Sequence, residues 1–227
     1  MQFTGIHSHK KRFDHFLQNL IDIVLPRVCI SCKTKGTALC AVCLKGTRAP
    51  TDNLPSWIHA LYTYKSALIK QSIWKLKYSY THDIARVYGK ALYDRILEDC
   101  GDRILFEKEA CVLVPIPVSS KRLRERGYNQ AKLISDAILM NDTSGFLQNG
   151  DGIVFRRENT IRQSHTKNRA GRMQNIVGSF YTKRPLSSKV HYIIIDDVVT
   201  TGATLVEARQ TLKQAGARKI SAYTIAH

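Results

Sequence analysis

No stretch of this 227-residue sequence stays apolar for the roughly 20 residues needed to span a bilayer. Residues 1–11 are polar and mixed, with no apolar core leading to a small-residue cleavage site, so no export signal is read and a cytoplasmic location is expected. Two nucleotide-binding fingerprints are missing as well: neither the Gly-Lys-Ser/Thr of the P-loop nor the Gly-x-Gly-x-x-Gly of dinucleotide folds occurs. Internal repeats are absent. Acidic residues are scarce, 18 against 35 lysines and arginines, which leaves a net charge of +17. More than half of that excess falls in residues 114–192, which hold 14 cations and 5 acids. A field of this sign favours polyanions, either a nucleic acid or a highly charged phosphate metabolite. The plainer alternative is a basic solvated surface. Aromatics do not interleave regularly with these cations, although Tyr128 and Tyr181 are available to stack on bases.

Four of the six cysteines form two pairs, Cys29-x-x-Cys32 and Cys40-x-x-Cys43, with seven residues between them, while Cys100 and Cys111 stand alone. In a chain without an export signal, paired knuckles read as a tetrahedral Zn(II) site instead of a disulfide framework. Four thiolates leave the metal no open position, so its role would be structural. A redox pair is the competing reading, weakened because two such motifs occur together.

Phe13, Phe16, Leu17, Leu20, Ile21 and Val24 recur at helical spacing and Pro26 ends the pattern, so an amphipathic helix is expected to lead into the cysteine module. Residues 46–56 are turn-forming and make the best linker, dividing a helix and metal-binding module over 1–50 from a larger domain over 54–227. In the larger part, strands are expected at 58–64, 110–114, 190–195 and 219–225, and helices at 66–77, 84–97, 129–140 and 205–215. Alternating helices and buried strands imply an α/β fold, a mostly parallel sheet flanked by helices.

The chemistry concentrates at two strand ends. The run from Val190 to Ile195 stops at the paired carboxylates Asp196 and Asp197, and Thr200, Thr201, Gly202, Ala203 and Thr204 then open a helix. A small-residue loop at a helix N-terminus lets backbone N–H groups and hydroxyls reach a phosphate. The carboxylates suit vicinal sugar hydroxyls or a divalent cation; capping the turn is the alternative use. After the strand at 110–114, a loop carries Lys121, Arg122, Arg124 and Arg126, cations suited to a pyrophosphate. The cationic segment 156–172, with Arg162, His165 and Arg169, reads as either a closing flap or a landing strip for phosphates.

The segment around Asp196 and Asp197 resembles the PRPP-binding motif of type I phosphoribosyltransferases. Four features occur in order: the four-cysteine knuckle, Pro-Ile-Pro with Arg-Glu-Arg-Gly-Tyr-Asn-Gln, Gln163-Ser164 with Arg169 and Asn175, and Asp-Asp-Val-Val-Thr-Thr-Gly-Ala-Thr. This order is similar to that of the ComF family. The resemblance leaves out residues 1–12 and 141–152.

It implies a type I phosphoribosyltransferase-like sheet behind a small zinc-ribbon module, with ribose and Mg(II) at Asp196 and Asp197 and the 5′-phosphate on Thr200 to Thr204. It also implies that Lys121, Arg122, Arg124, Arg126, Arg162 and Arg169 meet pyrophosphate or DNA phosphate. The family is associated with natural competence, which implies single-stranded DNA in the cytoplasm as partner, together with a helicase or DNA-uptake channel. A related branch is named for gluconate utilisation. No catalytic residue is assigned: Thr200 stands where purine-salvage enzymes often carry an aspartate base, and His165 and His191 are weaker candidates. A Mg-dependent phosphoribosyltransferase of nucleobase or nucleotide salvage, with no DNA role, is the alternative.

Overall fold

The computed structural model describes residues 27–51, 54–79, 82–158 and 178–227. The amphipathic segment 13–24, and with it Arg162, His165, Arg169 and most of the cationic segment, lies outside them. Among the described residues no helix is long and apolar enough to cross a membrane.

In chain order the elements are α1 (Ala41–Lys45), β1 (Ile58–Tyr62), α2 (Ala67–Tyr78), α3 (His82–Leu105), β2 (Cys111–Pro115), α4 (Ser120–Arg126) and α5 (Gln130–Asn141). These are followed by β3 (Leu147–Asn149), β4 (Val154–Arg156), β5 (Phe180–Thr182), β6 (His191–Val198), α6 (Ala203–Gln214) and β7 (Lys219–Ala226). Five strands form one sheet in the order β1-β7-β6-β2-β3, and every pairing in it is parallel. β4 and β5 form a separate antiparallel ribbon.

The period-two alternation of each strand sorts its side chains onto two faces. Cys111, Leu113, Ile193, Ile195, Tyr223 and Ile225 point to one side, where they meet α2, α3 and α5. Val112, Val114, Tyr192, Ile194 and Ala222 point to the other, against α6 and the inward residues Val154 and Phe180 of the ribbon. Both faces are covered, which is why β6 reads as an unbroken apolar run.

α3 runs eight residues past its expected end. Ile84, Tyr88, Leu92, Ile96, Cys100 and Ile104 are all buried at a spacing of four, so the stripe continues through the polar residues after Leu97. Where α3 crosses α5 the helices touch: a Cβ on Gly89 would come within 2.5 Å of the Cβ of Ala137. Gly89→Ala is therefore expected to push the helices apart and cost about 1–3 kcal/mol, measurable by urea denaturation. An unchanged midpoint would mean that the crossing is loose.

The segment carrying Lys121, Arg122, Arg124 and Arg126 is a helix, α4, not a loop. Ser119 caps its start, accepting from the Arg122 N–H at 3.4 Å, and Gly127 ends it in the left-handed region at φ 79°. α4 buries none of its residues, so it left no apolar period in the sequence.

Candidate functional site

Chain connections run outward in opposite directions from β2 and β6, β2 leading to β3 at one edge and β6 leading to β7 on the other side. In a parallel α/β sheet, such a reversal opens a crevice beyond the carboxyl ends of the two strands. A cavity of about 230 Å³ lies there. Asp196 and Asp197 stand at the end of β6, Thr200 comes from the loop before α6 and Thr204 from its first turn. The facing wall holds Ile116 to Val118, Arg122 and Arg126 of α4, and Asn129 and Gln130. Lys77 and Arg156 complete the charged lining. A bond from the Ile116 N–H to the Ile195 carbonyl, 3.0 Å, ties the two walls together.

The two carboxylates do different things. Asp197 pairs with the Lys77 ammonium at 3.1 Å, whereas Asp196 accepts the Asp197 backbone N–H at 2.8 Å. Burial, and then the charge of Asp197, push the Asp196 carboxyl up to about 7, against the pull of that N–H, Lys77 and Arg122. Burial and the charge of Arg122 lower the Arg156 guanidinium from its ordinary value, while Asp196 opposes them. Two anions thus face Lys77, Arg122, Arg126 and Arg156, a lining with charge to spare for a polyphosphate.

Polar groups without partners point the same way. Gln130 is buried, and its amide nitrogen, like Nε of Arg126, has no hydrogen-bond partner. Gly202 precedes α6 in the left-handed region, φ 75°, and offers no side-chain cap of its own; the Thr201 hydroxyl accepts the Ala203 N–H at 3.4 Å, and the rest of the first turn faces the same loop. These groups fit an anionic, oxygen-rich ligand, and Asp196 and Asp197 are the hard oxygen donors that would hold a magnesium ion if one accompanied it.

Of the sequence candidates, the structure gathers Asp196, Asp197, Thr200, Thr204, Arg122 and Arg126 into one cavity. Lys121 and Arg124 instead line an adjoining groove of about 300 Å³ with Arg156, Arg157 and Glu158. Tyr128 is not available for stacking: it is buried and donates its hydroxyl to the Leu76 carbonyl at 2.8 Å. His191 sits at the start of β6, roughly 16 Å along the strand from Asp196. Burial lowers its pKa to about 4, and its Nε2 meets Ser221 Oγ at 2.9 Å. It is a packed histidine, not a base for this cavity. Sequence reasoning missed Lys77, the last cation of a helix far upstream, and left Arg156 unmarked within a long cationic run.

At the other end of the chain, Cys29, Cys32, Cys40 and Cys43 bring their sulfurs within 4.8 Å of one another. The shorter separations, 3.5 Å for Cys32 and Cys40 and 3.9 Å for Cys29 and Cys43, bracket the ~3.8 Å edge of a zinc–sulfur tetrahedron with 2.3 Å bonds. Backbone N–H groups of Cys40 and Cys43 point at the sulfurs of Cys29 and Cys40, and the second of these bonds caps α1. This cluster can hold a metal such as zinc. Ile30, Ala38, Leu39 and Leu44 of the module share one apolar cluster with α3, while Asp83 of α3 binds both Arg27 and the Ala38 N–H.

No family model matches the chain. It is similar to the competence protein ComFC of Bacillus subtilis, 26% identical over 88% of this chain and 83% of that one. It is also similar to the DNA utilization protein YhgH of Escherichia coli, 24% identical over 89% and 98%, and to the ComFC of Streptococcus pneumoniae, 26% identical over 73% and 66%. A hypoxanthine phosphoribosyltransferase structure from Staphylococcus aureus overlaps 62% of this chain and 61% of that chain, with a TM-score of 0.35 and 19% identity. The resemblance to the ComF family thus extends to curated relatives over most of the chain. The fold is a parallel sheet flanked by helices, with a four-cysteine cluster near its N-terminus.

Proposed function

We propose that this protein binds Mg-PRPP in the cavity beyond β2 and β6 and handles incoming single-stranded DNA in the cytoplasm during natural transformation. The observation that carries the reading is one cavity holding a carboxylate pair, the start of α6 and four cations drawn from three separate parts of the chain. In this reading Asp196 and Asp197 hold the ribose hydroxyls and the magnesium ion, while Thr200 to Thr204 hold the 5′-phosphate. Arg122, Arg126, Arg156 and Lys77 face the pyrophosphate, whose departure the magnesium ion would ease by neutralising charge. Zinc in the four-cysteine cluster is a structural part of the fold.

The names of the bacterial relatives support a link to DNA, and so does the second cationic groove. Lys121, Arg124 and Arg157 extend positive charge beyond what one PRPP needs, and three phosphate contacts would release about as many counterions from a single strand. The expected result is binding of a labelled oligothymidylate whose log affinity falls with log salt at a slope of about −2 or steeper. Salvage of a free base is the competing reading: it predicts turnover of PRPP with a nucleobase and no appreciable oligonucleotide binding at low salt. That pair of results would overturn the DNA role.

A further inference from the structure

The β4–β5 ribbon has two unlike faces. Val154, Arg156, Phe180 and Thr182 share one, with Val154 and Phe180 buried against the α6 side of the sheet. Phe155, Arg157, Tyr181 and Lys183 alternate onto the other, which turns away from that core. There the rings of Phe155 and Tyr181 stack at 5.4 Å with an interplanar angle of 27°. Lys183 Nζ lies 4.2 Å from the Phe155 centroid, and the Arg157 guanidinium 5.1 Å from that of Tyr181. Both rings are half-buried and both cations exposed. Since Val154 and Phe180 already anchor the ribbon, the outer aromatics are not needed to seat it.

Interleaved rings and cations on an open strand surface suit an unpaired nucleic acid strand, because every base has a face to stack and every nucleotide a phosphate to neutralise. A duplex keeps its bases stacked on one another and would leave the rings unused. The cations now over the rings are long and flexible, free to swing to phosphates as bases take their place. The charged track continues inward as well: Arg157 lines the groove with Lys121 and Arg124, and Arg156 lines both that groove and the Asp196 cavity.

We propose that the outer face of the β4–β5 ribbon is the stacking platform for single-stranded DNA, leading through Arg156 to the sugar-phosphate cavity. This rests on the DNA-handling reading above. The test is fluorescence anisotropy with a labelled 20-mer oligothymidylate and an abasic 20-mer of equal charge, on wild type and on Phe155→Leu/Tyr181→Leu, which keeps apolar bulk but removes the rings. Calorimetry with Mg-PRPP serves as the folding control.

Wild type is expected to prefer the oligothymidylate, and the variant to lose about tenfold of that affinity while retaining its abasic-strand and Mg-PRPP binding. Equal wild-type affinity for both oligonucleotides, or an unchanged variant, would overturn the platform and leave the DNA role standing. No binding of either oligonucleotide to wild type would instead remove the DNA role itself. An Arg157→Gln/Lys183→Gln variant supplies a second reading. It should weaken both oligonucleotides alike and lower the salt slope by about 1.4; an unchanged slope would count against the ribbon in the same way.

Discussion

Asp196→Asn is expected to make the ligand-free protein more stable at pH 8 while abolishing its binding of Mg-PRPP. Asp196 is held against Asp197 at the end of a buried strand, which lifts its pKa to about 7 from the ordinary carboxylate value. The folded protein therefore binds more protons than the unfolded chain between about pH 4 and pH 7. Stability falls as pH rises through that window, and above pH 7 the whole penalty is present.

The amide is isosteric, keeps an oxygen to accept the Asp197 N–H, and carries no charge. Discounted for the partial exposure of the site, its advantage at pH 8 is about 2 kcal/mol, or about 5 °C in melting temperature, and it should vanish near pH 4. Binding moves the other way, because Mg-PRPP needs the ionised pair. Wild-type affinity is expected to weaken below pH 7 by up to about tenfold per pH unit. Thermal melts at pH 4 and pH 8, with calorimetry across the same range, read both effects. A variant that is less stable at pH 8, or one that still binds Mg-PRPP, would refute the assignment of Asp196 as a strained, ligand-awaiting carboxylate.

That strain also explains why the centre of the site was legible in the sequence and its rim was not. Two adjacent carboxylates after Ile193, Ile194 and Ile195 are costly to hold at the end of a strand covered on both faces, so they announce a ligand by their position alone. Lys77 sends no such signal. It becomes a site residue only because α2 packs over the same end of the sheet, which is a tertiary fact. Arg156 has both a strand and a site role, but three-residue strands such as β4 and β5 are too short to show a period.

The far end of α3 was hidden for a different reason: Gly101 and Asp102 interrupt the apolar stripe between Cys100, which packs as a small apolar side chain, and Ile104. α4 could have been found from its caps, Ser119 and Gly127, though not from hydrophobicity. Periodicity reports burial; an exposed helix of seven residues leaves only its punctuation.

The cysteine cluster carries the second large expected effect. Its module has little apolar surface of its own, and Ile30, Leu39 and Leu44 are buried only because two knuckles fold them against α3. Lys33, at φ 63°, and Gly36, at φ 100°, hold the first knuckle in a left-handed turn that needs something to fix it. Cys29→Ser/Cys32→Ser removes two of four ligands and is expected to release the metal. Loss of the module then uncovers the Asp83 and Val87 side of α3, lowering the melting temperature on the order of 10 °C. Metal analysis should fall from one zinc per chain to none, and hydrogen exchange should speed up over residues 27–48 and at the start of α3. The sheet and the Asp196 cavity should keep their protection, because β2, β6 and β7 are hydrogen-bonded to one another along their length. Unchanged metal content would remove the zinc assignment. Metal loss without faster exchange would show instead that packing on α3 alone holds the module in place.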